Sequence, residues 1–145
     1  MSGLVIRVVS YAAEKSLIQA IRYQVFQVEQ GVDAALEFDG QDEAAMHLLA
    51  YLNDEPVGTA RIRLLSDQLA KIERVAVLST CRGQGIGKQL MKEAIVFLNT
   101  KNISEIKINA QLYVKDFYQK LGFERRGEVF EEAGIPHIEM RLRSL

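Results

Sequence analysis

Seven consecutive residues, Arg82-Gly83-Gln84-Gly85-Ile86-Gly87-Lys88, stand between a strand-like run and an amphipathic helical pattern. Backbone N–H groups at a helix start lack partners, the helix dipole is positive there, and glycine lets an anion approach the main chain without a Cβ in the way. A phosphate or pyrophosphate fits such a turn, and Arg82 and Lys88 would add side-chain charge to it. Two familiar phosphate loops fail on spacing. A Walker loop ending at Gly87-Lys88 needs glycine at position 82 and Ser or Thr at 89, where this chain has Arg82 and Gln89. A dinucleotide GxGxxG fingerprint would need glycine at Lys88 or at Leu90. The plainer alternative, glycines that only shape a tight strand-to-helix turn, stays open on spacing alone.

Few other residues offer chemistry by type. Cys81 is the only cysteine, which leaves no internal disulfide, CxxC pair or cysteine-rich zinc site, and no His or Lys motif beside it activates a thiol. His47 and His137 are the only histidines and lie far apart without an acidic cluster at metal spacing, so no metal is expected. Each reads first as a structural strand histidine, with His137 kept as a candidate base because it follows Gly134-Ile135-Pro136 at a strand entrance.

The elements that must position these residues follow from periodicity. A strand over 4–10 leads to a helix over 13–30, with Leu17, Ile18, Ile21, Val25 and Val28 on one face and Gly31 at its end. Residues 32–45 carry Asp33, Glu37, Asp39, Asp42 and Glu43 without periodicity and read as an acidic surface loop and candidate lid. Three strands, 47–53, 56–65 and 70–77, form an antiparallel meander around turn-rich segments. Ile86, Leu90, Ala94, Phe97 and Leu98 mark a helix that ends near Asn102, and 105–110 alternates as a strand, parallel to 70–77 across that helix. A helix over 113–121 and strands over 123–130 and 137–142 complete the chain.

The 145 residues suit one domain spanning 1–145, and 48% hydrophobic with 26% charged residues are enough for a real core. A net charge of −1 provides no excess for gripping nucleic acid or an anionic membrane. The apolar start is short and interrupted by Arg7, and no uncharged run approaches the roughly 18 residues of a membrane span, so a soluble cytoplasmic protein is expected.

Arg82-Gly83-Gln84-Gly85-Ile86-Gly87 resembles the R/Q-x-x-G-x-G/A motif of the GNAT N-acetyltransferases. Ile72-Glu73-Arg74-Val75-Ala76-Val77 resembles the strand before that motif, and Asn109 with Phe117-Tyr118-Gln119-Lys120-Leu121-Gly122-Phe123 the later cofactor-binding segment. The resemblance is strongest over 70–125 and extends along the chain as element order. Val25 to Val32 and Ala133 to His137 look like a small bacterial subgroup of acetyltransferases. The resemblance implies an α/β (α+β) fold of three layers: a mixed, mostly antiparallel sheet flanked by helices, with strands splayed at a CoA cleft. It implies acetyl-CoA as donor, its pyrophosphate on the amides of residues 83–88 and its pantetheine arm beside Val75, Ala76 and Val77, with Asn109 opposite. Solvent exposure is the alternative for Asn109.

In such an enzyme a neutral amine attacks the thioester directly. A main-chain N–H near Val75 is the candidate oxyanion donor, and Tyr118 occupies the place of the family's tyrosine acid, the alternative being a core tyrosine with a local hydrogen bond. Glu73 is the first choice for base, two residues before Val75 and so expected on the same strand face; the alternative is ion pairing with Arg61, Arg63 or Arg74. Acceptor specificity is expected from the first helix and acidic loop, with Arg22, Tyr23, Phe26, Glu29 and Gln30 as candidates. Carboxylates there would attract a cationic amine, or be the ordinary charges of a solvated loop. A small-molecule amine is the expected acceptor, and exposed sheet edges allow a homodimer. Two other readings stay open: a catalytically silent acyl-CoA sensor on the same scaffold, and a phosphate-binding domain unrelated to CoA.

Overall fold

A computed structural model describes residues 3–143. Seven strands form one sheet in the order β1-β2-β3-β4-β5-β7-β6, from β1 (Leu4–Ser10), β2 (Met46–Leu52), β3 (Glu55–Leu64), β4 (Leu69–Val77), β5 (Glu105–Gln111), β6 (Glu124–Glu132) and β7 (Ile135–Arg143). All neighbours are antiparallel except β4 and β5, which a helical crossover makes parallel. The helices are α1 (Tyr11–Arg22), α2 (Ala34–Glu37), α3 (Ile86–Thr100) and α4 (Lys115–Lys120). One hydrophobic cluster joins α3 to the sheet through Ile86, Leu90, Met91, Ala94 and Leu98, and the other joins Ile18, Ile21 and Val25 to the opposite face. Burial of each such aliphatic side chain contributes roughly 1.5–3 kcal/mol. The result is the expected three-layer arrangement.

Helix α3 is fixed at both ends. Gly85, at φ 81°, is its N-cap. At the other end Ile103 N–H donates to Leu98 O and Asn102 N–H to Asn99 O, with Asn102 left-handed at φ 59°. This is a Schellman stop with Leu98 and Ile103 as its buried apolar contact.

Two features of the strands open the site. Pairing between β4 and β5 covers only Leu69↔Glu105, Ala70↔Ile106 and Lys71↔Lys107, after which the strands part. From Ile72 to Val77 the main chain therefore has no strand partner on the β5 side. The same stretch contains a β-bulge. Arg61 pairs with Glu73 and Thr59 with Ala76, so Arg74 and Val75 together face Ala60, with Arg74 at φ 52°. The extra residue switches the face on which side chains emerge. Ala70 and Ile72 enter the α3-side core, Val75 and Val77 pack against that same core, and Ala76 lies in the α1-side cluster. Glu73 and Val75 thus occupy opposite faces, contrary to the period-two expectation.

Other departures are local. The helix expected over 13–30 is α-helical only to Arg22; Tyr23–Glu29 continue as a π-helix whose C-cap Gln30 N–H donates to Val25 O at 3.1 Å. The helix expected over 113–121 begins as a 3₁₀ turn, Leu112–Val114. The last two strands are longer than expected and meet in a two-residue turn, Ala133 (φ 53°) and Gly134 (φ 74°), as a tight hairpin requires. No helix among the described residues is long and apolar enough to cross a membrane.

Candidate active site

A cleft of about 780 Å³ runs through the gap between β4 and β5. Along β4 it passes from the glycine loop, with Gly83, Gly85, Gly87 and Lys88, by Val75–Val77 to Arg74, and Asn109, Tyr118, Phe26 and His137 are also on its walls. At the loop end, Gly83 and Gly85 hold φ near +80°, and a Cβ on either would touch nothing within the chain. Conformation, not room, demands glycine at both. The first N–H pairing back into α3 is that of Gln89, to Gly85 O, so the donors of the preceding turn are free for an anion. Lys88 is exposed at the cleft. Gln84 is exposed but stands off the cleft wall, and Ile86, which is on that wall, is buried and packs into the core.

Arg82 is not a free cation. Its guanidinium takes both carboxylate oxygens of Glu29, Nη2 to Oε1 at 2.6 Å and Nη1 to Oε2, while Nε donates to Val77 O at 3.1 Å. Gln111 Nε2 donates to Gln30 Oε1 at 3.0 Å from the opposite side of the gap. The end of the π-helix is thereby tied both to the glycine loop and to β5.

Tyr118 packs its ring edge-on against Phe117 at 5.0 Å and against Phe123 at 6.1 Å. Burial, reinforced by Tyr113, pushes its phenol up to about 12. A family model described as an acetyltransferase (GNAT) domain matches residues 9–144. The chain belongs to the GNAT acetyltransferases. It is 38% identical over 123 residues to YyaT of Bacillus subtilis (strain 168), covering 83% of this chain and 82% of that protein. To ElaA of Escherichia coli (strain K12) it is 38% identical over 125 residues, covering 83% and 81%. A solved chain from Lactobacillus plantarum superposes at a TM-score of 0.92 with 27% identity, over 99% of this chain and 100% of that one. As a GNAT protein the chain is an acyltransferase.

In this GNAT chain the charges at the far end of the cleft form a mostly buried network. Glu73 Oε2 takes Arg61 and, at 2.6 Å, Arg63 Nε, and Lys71 Nζ lies 3.1 Å from Oε1. Burial alone would push this carboxyl up, but the Arg63 hydrogen bond and the Arg61 and Lys71 charges outweigh it and hold Glu73 at about 2. A carboxylate so satisfied is a poor proton acceptor at neutral pH. Its geometry matches the ion-pair alternative.

The stretch expected to be a solvated acidic loop is instead its counter-charge. Glu37 and Asp42 are buried; Arg22 bonds Glu37 Oε1 at 2.5 Å and Asp42 Oδ1 at 2.6 Å, and Arg61 bonds Asp39 and Asp42. The Arg61 hydrogen bond outweighs partial burial and draws the Asp39 carboxyl well down. Arg22, expected to touch the acceptor, is 1% exposed and lies within this network, off the cleft wall. Tyr23 points to solvent, also off the wall, and Glu29 is engaged by Arg82. Of the acceptor candidates, Phe26, Gln30 and His137 do line the cleft.

His137 sits on β7 opposite Gln111, stacked on Phe130 at 5.9 Å. Its Nδ1 is 2.7 Å from Ile135 O and its Nε2 is 3.5 Å from Glu132 Oε2. A contact with a carbonyl is favourable only with the proton on Nδ1, which in the neutral ring makes Nε2 the acceptor. His47, by contrast, is buried against Tyr11 with Nε2 at 2.8 Å from Asp42 O; burial pulls its imidazole pKa down. Its role is structural. Among the described residues no three His, Cys, Asp or Glu converge as a metal site.

Proposed function

We propose that the chain is an acetyl-CoA-dependent N-acetyltransferase acting on a primary amine of a small molecule. The observation that carries this reading is the continuity of the cleft. Free amides at the α3 start, an unpaired stretch of β4, Tyr118 and His137 all line one cleft. Acetyl-CoA supplies a thioester whose carbonyl carbon can be attacked by nitrogen.

The residues divide the work along that channel. The amides of Gly83 to Lys88 hold the diphosphate, with Lys88 adding charge. Val75, Ala76 and Val77 offer main-chain groups, and Asn109 its amide, to the pantetheine arm. Val75 N–H donates to the carbonyl oxygen as negative charge develops there. Tyr118 keeps its proton at neutral pH and donates a hydrogen bond to the departing sulfur, a thiolate less basic than the raised phenolate. Since the phenol is the weaker acid, hydrogen bonding precedes any full transfer. Nε2 of His137 takes the proton of the incoming amine, and the resulting imidazolium pairs with the Glu132 carboxylate 3.5 Å away.

Release of free thiol from acetyl-CoA across a panel of amines tests the reading. Amine-dependent thiol release is the expected result. Thermal stabilisation by CoA with no transfer to any amine would replace catalysis with acyl-CoA sensing.

A further inference from the structure

The network at the far end of the cleft does not balance. Five cations, Arg22, Arg61, Arg63, Lys71 and Arg74, share four carboxylates, Glu37, Asp39, Asp42 and Glu73. The distances show where the surplus lies. Glu37 is taken by Arg22, Asp42 by Arg22 and Arg61, Asp39 by both terminal nitrogens of Arg61, and Glu73 by Arg61, Arg63 and Lys71. Arg74 has only what is left over. Its Nη2 lies 3.3–3.4 Å from the carbonyl oxygens of Leu36 and Glu37 and from Asp39 Oδ2. Its Nε is buried with no hydrogen-bond partner, 3.9 Å from Glu37 Oε1. Glu37 Oε2 is unpartnered too, but it is buried, whereas the Arg74 side chain is one-fifth exposed, so a guanidinium held only by long contacts can take an anion that enters the cleft.

Its position gives that anion a role. Arg74 is the left-handed residue of the β4 bulge, a conformation disfavoured for any residue with a Cβ, and it lines the cleft. The next residue is Val75, where the acyl carbon is aimed in the reading above. An amine attacking there carries its neighbouring substituents past Arg74. Resting on that reading, we infer that the acceptor bears a carboxylate close to its amine, as an α-amino acid does, and that the Arg74 guanidinium binds it. Arg74 is then a specificity-determining residue, and its surplus charge is neutralised when the acceptor is bound.

The experiment compares matched acceptors by thiol release: alanine, leucine and lysine, each against its carboxamide and its decarboxylated amine. With the wild-type protein, the best amino acid should exceed both its counterparts in kcat/KM by roughly tenfold or more, the contribution of a hydrogen-bonded charge. Arg74→Gln should reduce that ratio to near unity, and Arg74→Lys, which keeps the charge, should retain part of it. The ratio cancels any loss of folded protein. Equal wild-type use of amino acid and carboxamide, or a ratio unchanged in Arg74→Gln, overturns the inference. If amines without carboxylates are acetylated and amino acids are not, this inference fails and the N-acetyltransferase reading stands. If no amine is acetylated although CoA raises the melting temperature, both fail.

Discussion

Glu29, at the end of the π-helix, grips both terminal nitrogens of Arg82, fifty-three residues further along the chain and at the mouth of the glycine loop. A diphosphate on that loop meets a carboxylate already in possession of the nearest guanidinium. Glu29→Gln should therefore tighten acetyl-CoA binding. An exposed ion pair is worth at most about 1 kcal/mol, so the gain in affinity should not exceed about fivefold and the melting temperature should hardly move. Calorimetric titration with CoA measures it. Weaker binding by the variant would mean that Glu29 aims Arg82 and does not compete for it.

Tyr118→Phe keeps the ring between Phe117 and Phe123 and removes only the hydroxyl. The melting temperature should be preserved while kcat falls by roughly ten- to a hundredfold, the scale of a positioned acid. With the phenol raised to about 12, a wild-type alkaline limb due to its ionisation would lie near that pH, above the usual assay range. Unchanged turnover at saturating acetyl-CoA in the variant would remove Tyr118 from the mechanism.

Glu73 affects stability more than proton transfer. Its carboxyl is near 2 in the folded chain and 4.5 in its ordinary state, so the folded form favours the ionised group. That contribution is complete above pH 4.5 and is lost as pH falls towards 2, at most about 3 kcal/mol from the shift. Thermal melts across this range should show a steep acid loss in the wild type and a shallower one in Glu73→Gln, which starts less stable because three cations lose their partner. The limb of the pH-rate profile near neutrality should survive the substitution. Its disappearance would restore Glu73 as the base.

The glycine loop was legible because its demands are local: left-handed turns at Gly83 and Gly85 and free donors at a helix start depend on neighbours in sequence. So was the order of strands and helices, which hydrophobic period dictates. The charged end of the cleft was not. Glu37, Asp39 and Asp42 read as solvated because their partners, Arg22 and Arg61, lie 15 to 22 residues away and announce themselves only after β3 and α1 pack. The β4 bulge was hidden more thoroughly. Arginine at 74 gives no signal of positive φ, and the single inserted residue reversed the facing of Glu73 and Val75. A pocket-facing Glu132 was missed for the same reason: its place follows from a hairpin whose Ala133-Gly134 turn begins with a residue not typical of one.

His137 carries the remaining prediction. Its Nδ1 is committed to Ile135 O, its ring is held against Phe130, and Nε2 is aimed at the cleft beside Glu132. A base in this position takes the proton of the amine, so His137→Gln should lower kcat/KM by roughly a hundredfold or more while CoA binding and the melting temperature hold. Glu132→Gln separates the two groups. It leaves the imidazole in place, and the loss of a half-exposed charge contact should cost no more than about fivefold and shrink further as salt is raised. Activity unchanged in both variants would exclude the pair and leave the amine to shed its proton to water within the cleft.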